Sequence, residues 1–558
     1  MHHLFARLVE KHNPPVNHEI MEGLACTYMK KTEEYIDEVF KSVSKSFPKG
    51  LVYAGYERCT PQEEFEEVTR ARTNKRSFDL AKSDIYLVKY RFTFLDIHTI
   101  TRFIYLPFVG EAGIMHLSGS RYHVVPVLSD KVISPGYDEI FVRLLRDKMI
   151  FNRCYHSLII DGVRETTHVI WSRIHRGAKD SKSKSGDNVP ATTRANTCIG
   201  HYLFAKFGLV KTFEQYVGFT PIIGGNEITS KSYPSEHYVI CESTQIKPKS
   251  YIGKFYTPNS IKLVIPRSHW NSTSKGLAIA FFYVVDHFPN RFKPDIKHID
   301  DKSLWMILLG HIVYSGAYGE NKLYADIEEH FLSLDDYLDT LIVKKLKESG
   351  HDIQDFYKLL VLILSSFNEL VLESNNTVNN MFVKSLEVLY YMLEDITHSI
   401  FRVNFRLSKL AIKRALTVSD VTETFNRFMK QGSVFKLTSG KIILESVSYS
   451  GDNKYPKITS KITEQESLSG KGGTRTAIGL DKHLDISMIE AGSVLFISKA
   501  NPSPTGRINP FVKMDLATGT ILPNPKLTEI RDKTANDLRG ITTSDVTVID
   551  NSDIDIED

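Results

Sequence analysis

The sequence predicts an α+β multidomain protein, and three observations carry that expectation. The chain has 558 residues, 42% of them apolar and 24% charged, which suits a globular protein of roughly three or four domains with sizeable cores. Between about 78 and 135 it is written in short β-rich runs. From 331 onward a helical period takes over.

Residues 1–47 have helix-like spacing and close at "FPKG". The runs "DIYLVKYRFTFLDI", "RFIYLPFV" and "YHVVPVLS" then alternate apolar with polar residues and are rich in aromatic and β-branched types, the mark of strands. Gly110, Gly113, Gly119 and the "SPG" of 134–136 punctuate them. "RGAKDSKSKSGDNVP" (176–190) reads as a polar, basic surface loop. The stretch from there to about 330 mixes short strands with loops and offers no usable period. No internal repeat is visible.

Further on, Phe382, Leu386, Leu389, Leu393, Ile396, Ile400, Val403, Leu407 and Leu410 follow in steps of four and three. That stripe predicts one helix of roughly eight turns across 381–416, packed on its own domain. The chain ends in "TTSDVTVIDNSDIDIED", with six acids from Asp545 onward and no base, which predicts a disordered acidic tail. Its Asp553 and Asp555 lack the rigid scaffold that a magnesium pair needs.

The five cysteines (Cys26, Cys59, Cys154, Cys198, Cys241) are scattered, with no C-x-x-C, so zinc-ribbon and dithiol redox classes are excluded. The N-terminus has no secretory h-region, and runs such as "LLVLIL" are too short to span a bilayer. A reduced, intracellular chain with no membrane association is expected.

Net charge is only +4, so its distribution matters more than its sum. Arg402, Arg406, Lys409, Lys413 and Arg414 crowd the second half of the long helix with no acid among them. Two explanations stay open: cations favoured by the helix dipole, and cations facing a nucleic-acid backbone.

"SLSGKGGTRTAIGLDKHLD" (467–485) sets Gly470, Gly472 and Gly473 around Lys471, with Arg475 close behind. A phosphate loop would need G-x-x-x-x-G-K-[ST] after an apolar strand. Arg475 and Thr476 stand where the glycine–lysine pair belongs, and the preceding "KITSKITEQES" is too polar. No G-x-S-x-G, H-E-x-x-H or kinase set occurs either.

With its flanks, "ITEQESLSGKGGTRTAIGLDKHLDISMIEAGS" resembles a segment of the β subunit of multisubunit RNA polymerases. There a serine–leucine run leads into G-P-G-G, then an arginine and a histidine. Lys471 replaces the proline, and Arg475 and His483 fall near the other two positions. "AGIMHLSGSRYHVVPVLSDKVISPG" (112–136) resembles the β motif G-T-F-I-I-N-G-x-E-R-V-I-V-S-Q-x-x-x-S-P-G, sharing Gly113, Gly119, Ser134, Pro135 and Gly136. "FVRLLRDKMIF" (141–151) is similar to V-R-I-D-R-x-x-K, which opens the β lobe. The long helix stands where β has its fork helix, without the asparagine and arginines that begin it. "NPSPTGRINPFV" (501–512) keeps the proline and glycine of E-T-P-E-G-P-N-I-G at Pro504 and Gly506 but neither glutamate.

The order of these five segments resembles the N-terminal half of β, in the split-subunit type of giant (phiKZ-like) bacteriophages. The resemblance implies a protrusion, lobe and fork with mixed sheets. Protrusion would occupy 1–139 and return at 331–374, the lobe 140–330 and the fork 375–485, with 486–558 beginning a hybrid-binding region that ends in the acidic tail. It implies a DNA-dependent RNA polymerase subunit that walls the DNA channel and braces the RNA–DNA hybrid.

Catalysis in this family uses two magnesium ions on the N-A-D-F-D-G-D loop of β′. This chain would then carry no cofactor and no catalytic residue. Its partners would be a β C-terminal-half chain, β′-like chains, a phage specificity subunit, DNA template and RNA transcript. It would work in the infected bacterial cell or travel in the virion.

The nucleic-acid contacts it points to are Lys471, Arg475 and Arg507, then Arg402, Arg406, Lys413 and Arg414, with the loop glycines Gly470, Gly472 and Gly473 admitting a close backbone approach. Gln465 and Ile462 stand where bacterial β has an arginine and a histidine of the rifamycin pocket, so insensitivity to rifamycins is expected. Two other readings remain: a phage structural or nucleic-acid-packaging protein, and a stand-alone nucleotidyl transferase, for which no rigid carboxylate pair is visible.

Overall fold

The computed structural model describes most of residues 27–429, apart from 72–83, 175–196, 245–259, 288–297, 373–381 and gaps of one to five residues, and then short segments between 433 and 529. The basic loop at 176–190, the glycine loop and the acidic tail lie outside the described residues.

The β-rich runs form a meander. Strands Leu51–Arg58, Ile85–Phe94 and His98–Pro107 pair antiparallel in that order, and Ser433–Val434 adds a parallel edge. Alternation along Ile85–Phe94 turns Tyr86, Val88, Tyr90, Phe92 and Phe94 into a buried face. Helix Thr32–Ser44 covers that face, with Phe40 packed edge-on against Tyr53 and Tyr90. Leu87 and Tyr105 point the other way into a small second cluster with Cys59.

A second, eight-stranded sheet follows. Its main path runs Thr197–Cys198, Val163–Ser172, Lys148–Ile160, Tyr238–Ser243, Lys262–Pro266, Ile222–Gly224, and Glu139–Arg143, itself paired with Ile133–Pro135, joins it through Lys148–Ile160. Helices Ile199–Phe207, Ser272–His287, Lys302–Val313 and Phe356–Leu372 pack together and onto it. Ile199–Phe207 and Ser272–His287 meet so closely that a Cβ on Gly200 would lie 2.4 Å from the Ala280 Cβ.

The stretch before 330 therefore holds helices where loops and short strands were expected. Ser272–His287 buries an unbroken run from Leu277 to Phe282, and Lys302–Val313 buries Trp305, Met306, Leu308 and Leu309. Helices that are apolar all round have no stripe to detect.

The long helix also needs correcting. It spans Leu389–Lys413, and Lys384–Glu387 before it is a strand paired antiparallel with Val127–Asp130. A four-residue strand contributes one apolar position, Leu386, and that single residue happens to fit the helical series. Glu387 explains the break. It is 1% exposed, with its carboxylate 2.5 Å from Arg143 and 2.6 Å from Lys345. A helix continuing through 387 would carry this carboxylate away from its place in the strand.

Candidate nucleic-acid interface

The long helix buries Leu393, Ile400, Val403 and Leu407, against Thr32–Ser44 and the return helix Val418–Phe428. Its opposite side is basic. Arg402, Arg406, Lys409 and Lys413 recur at steps of four, three and four, which sets them in one narrow stripe about 16 Å long. Arg402, Arg406 and Lys413 are exposed, and among the described residues no carboxylate pairs with any of them. Lys409 differs: its ammonium is ion-paired with Glu329 of the facing helix Glu320–Asp335.

Arg414 is exposed too, and it is ion-paired. It leaves the helix in extended conformation (φ −163°, ψ 163°), and its guanidinium holds both oxygens of Asp420 at 2.9 and 2.6 Å. Asp420 also accepts from the Thr417 hydroxyl at 2.7 Å, and Thr417 closes a capping box at the start of the return helix. These bonds, first to Thr417 and then to Arg414, hold the Asp420 carboxyl at about 2. The return helix is fastened in turn to the first sheet. Phe425 packs on Phe92, Arg102 donates to Asn426 at 2.8 Å, and His98 shares a hydrogen bond with Thr422.

Arg507 lies on strand Thr505–Arg507, directly opposite Lys461 of Lys461–Glu464. The sheet order is Lys384–Glu387, Val127–Asp130, Lys461–Glu464, Thr505–Arg507. Arg507 thus sits three strands, about 14 Å, from the strand that feeds the long helix. The strand Lys461–Glu464 also leads within three residues to the glycine loop. Lys471, Arg475 and the glycines Gly470, Gly472 and Gly473 are themselves outside the described residues.

Sequence reading missed the Lys409–Glu329 pair and the Arg143–Glu387–Lys345 group, since each joins residues far apart in the chain. It also missed a cluster in the second sheet. There Ser243 Oγ donates to Asp286 Oδ1 at 2.8 Å, and His156 Nε2 stands 3.6 Å from Asp286 Oδ2. All three are buried, and the serine bonds to the aspartate, where a nucleophile would need the imidazole. Burial, helped by His287, lowers the His156 imidazole to about 4. The cluster ties the helix Ser272–His287 to the sheet.

Among the described residues no group of histidine, cysteine, aspartate or glutamate could hold a metal ion, and no helix is long and apolar enough to cross a membrane. What the geometry offers is a rigid, well-anchored helix with a row of unpaired cations, suited to contacting phosphates without reading sequence.

Among known families, a model described as "Non-virion RNA polymerase subunit" matches residues 6–536. No curated protein matches the chain.

Proposed function

Because the chain belongs to the family of non-virion RNA polymerase subunits, we propose that it is the β-like wall of that enzyme's DNA channel and braces the RNA–DNA hybrid. It is part of a phage RNA polymerase, which decides against the structural or packaging protein that the sequence left open. The observation that carries the finer reading is the row Arg402, Arg406 and Lys413, exposed and without acidic partners among the described residues. The helix dipole favours Lys413, in the last turn, but it does not reach Arg402 and Arg406, about two turns or more from that end, whereas a polyanion would engage all three.

The catalytic magnesium is assigned to a separate β′-like chain, since no N-A-D-F-D-G-D occurs here. Further partners in this reading are a chain completing β, a phage specificity subunit, and the template and transcript. The second sheet and its helices would serve as the lobe, and the long helix as the fork. Lys471, Arg475 and Arg507 would extend the phosphate-binding surface from the neighbouring sheet. We assign its work to the interior of the infected cell, in keeping with the family's non-virion description.

Affinity purification of the tagged chain from infected cells, with mass spectrometry and a DNA-templated RNA synthesis assay, tests this. Co-elution of an N-A-D-F-D-G-D chain and a β-completing chain, with RNA made in rifampicin, is the expected result. An eluate whose partners already include a complete β subunit would overturn the β-like assignment.

A further inference from the structure

Beside the basic stripe lies a cleft of about 280 Å³ between the long helix and the facing helix Glu320–Asp335. Leu332, Phe405 and Ile412 give it an apolar lining, and Lys409 and Lys413 belong both to this lining and to the stripe. Ile412, at 67% exposure, stands open to solvent. The far wall carries Glu328, which is exposed and has no ionic partner among the described residues.

We propose that this cleft is a subsite for one unpaired nucleobase of a single strand whose phosphates lie on Arg402, Arg406 and Lys413. The inference rests on the phosphate-binding reading above and adds what the strand must be. An apolar cleft flanked by cations suits a group that is flat and apolar on its faces but attached to an anion. Nucleobases stack on aromatic side chains without regard to sequence, and Phe405 supplies such a ring.

Charge fixes the orientation. Glu328 repels a phosphate, so the backbone stays on the long-helix side and the base points across. A carboxylate accepts from an exocyclic amino group, so cytosine, adenine and guanine should be favoured over thymine and uracil. A duplex keeps its bases paired and can present only phosphates to the stripe. The site therefore distinguishes unpaired from paired nucleic acid, whether DNA or RNA.

The test is photo-crosslinking of the full chain to DNA and RNA oligonucleotides carrying one 5-iodocytosine, with the adduct mapped by mass spectrometry. The expected adduct is on Phe405, and the strand type that gives it identifies the occupant. Phe405→Leu, which keeps the apolar volume, should weaken single-strand binding roughly tenfold while duplex binding changes less than twofold. Glu328→Ala, which removes the acceptor, should erase the preference for oligo-dC over oligo-dT.

Adducts confined to residues outside both helices, or equal losses of single-strand and duplex binding in Phe405→Leu, would overturn the base subsite. If Arg402→Ala with Arg406→Ala still lowers binding in that case, the phosphate reading stands alone. If that double variant binds unchanged, both readings fail.

Discussion

Lys409 and its neighbours on the stripe differ only in what lies across from them. Arg402 and Arg406 look into solvent, while Lys409 meets Glu329, eighty positions back in the chain. The pair is partly exposed, so its contribution to stability is small, and in the proposed interface its larger effect is to withhold one cation from the polyanion. Glu329→Gln should therefore tighten DNA binding at low salt and steepen the log–log salt dependence by about 0.7–0.9, one additional phosphate contact. Titrations of both proteins over a salt series check this. Arg414 shows the converse case. The sequence counts it with the other cations, and the structure has it clamping Asp420 at the mouth of the return helix. Charge type is legible in sequence, but the counter-charge is a matter of tertiary structure.

Elements with one wet face were legible. The alternation from Tyr86 to Phe94 gave a strand, and the steps from Leu393 to Leu407 gave a helix, because each has a buried and an exposed side. Elements without that contrast were not legible: Ser272–His287 and Lys302–Val313 are enclosed nearly all round. The junction at Glu387 was lost for another reason, since its partners Arg143 and Lys345 come from distant segments. Burial raises the Glu387 carboxyl, but Arg143 and then Lys345 outweigh burial and hold it at about 2. Removing this carboxylate would strand two cations around a buried site. Glu387→Ala should cost about 3–5 kcal/mol, read as a drop in the denaturation midpoint, and should loosen the strand that leads into the long helix.

Across the described residues, buried groups act on acid stability in both directions. Burial raises the Asp339 carboxyl to about 6, which offsets part of the loss as pH falls from about 6 toward 4, while two histidines and Glu387 act the other way. Burial lowers both His156 and His201 to about 4, below the roughly 6.5 of an exposed imidazole. Unfolding lets these histidines bind protons that the fold refuses, so stability is full above about 6.5 and falls as pH drops toward 4. Glu387, depressed below its unfolded value, adds a further loss in the same direction between about 4 and 2. Thermal melts from pH 7 to 4 should show a falling midpoint, and His201→Gln should flatten the upper part of that fall. On this scaffold the proposed nucleic-acid surface combines what the sequence announced, a basic helix half, with what it could not, the cleft and acidic wall beside it.

The most direct test of the central claim is the salt dependence of DNA binding by the assembled polymerase, with the chain as wild type and as Arg402→Ala/Arg406→Ala/Lys413→Ala. The log–log slope should become shallower by about 2–3, one phosphate contact for each cation removed. An unchanged slope in a complex that still assembles would mean that the long helix faces something other than nucleic acid.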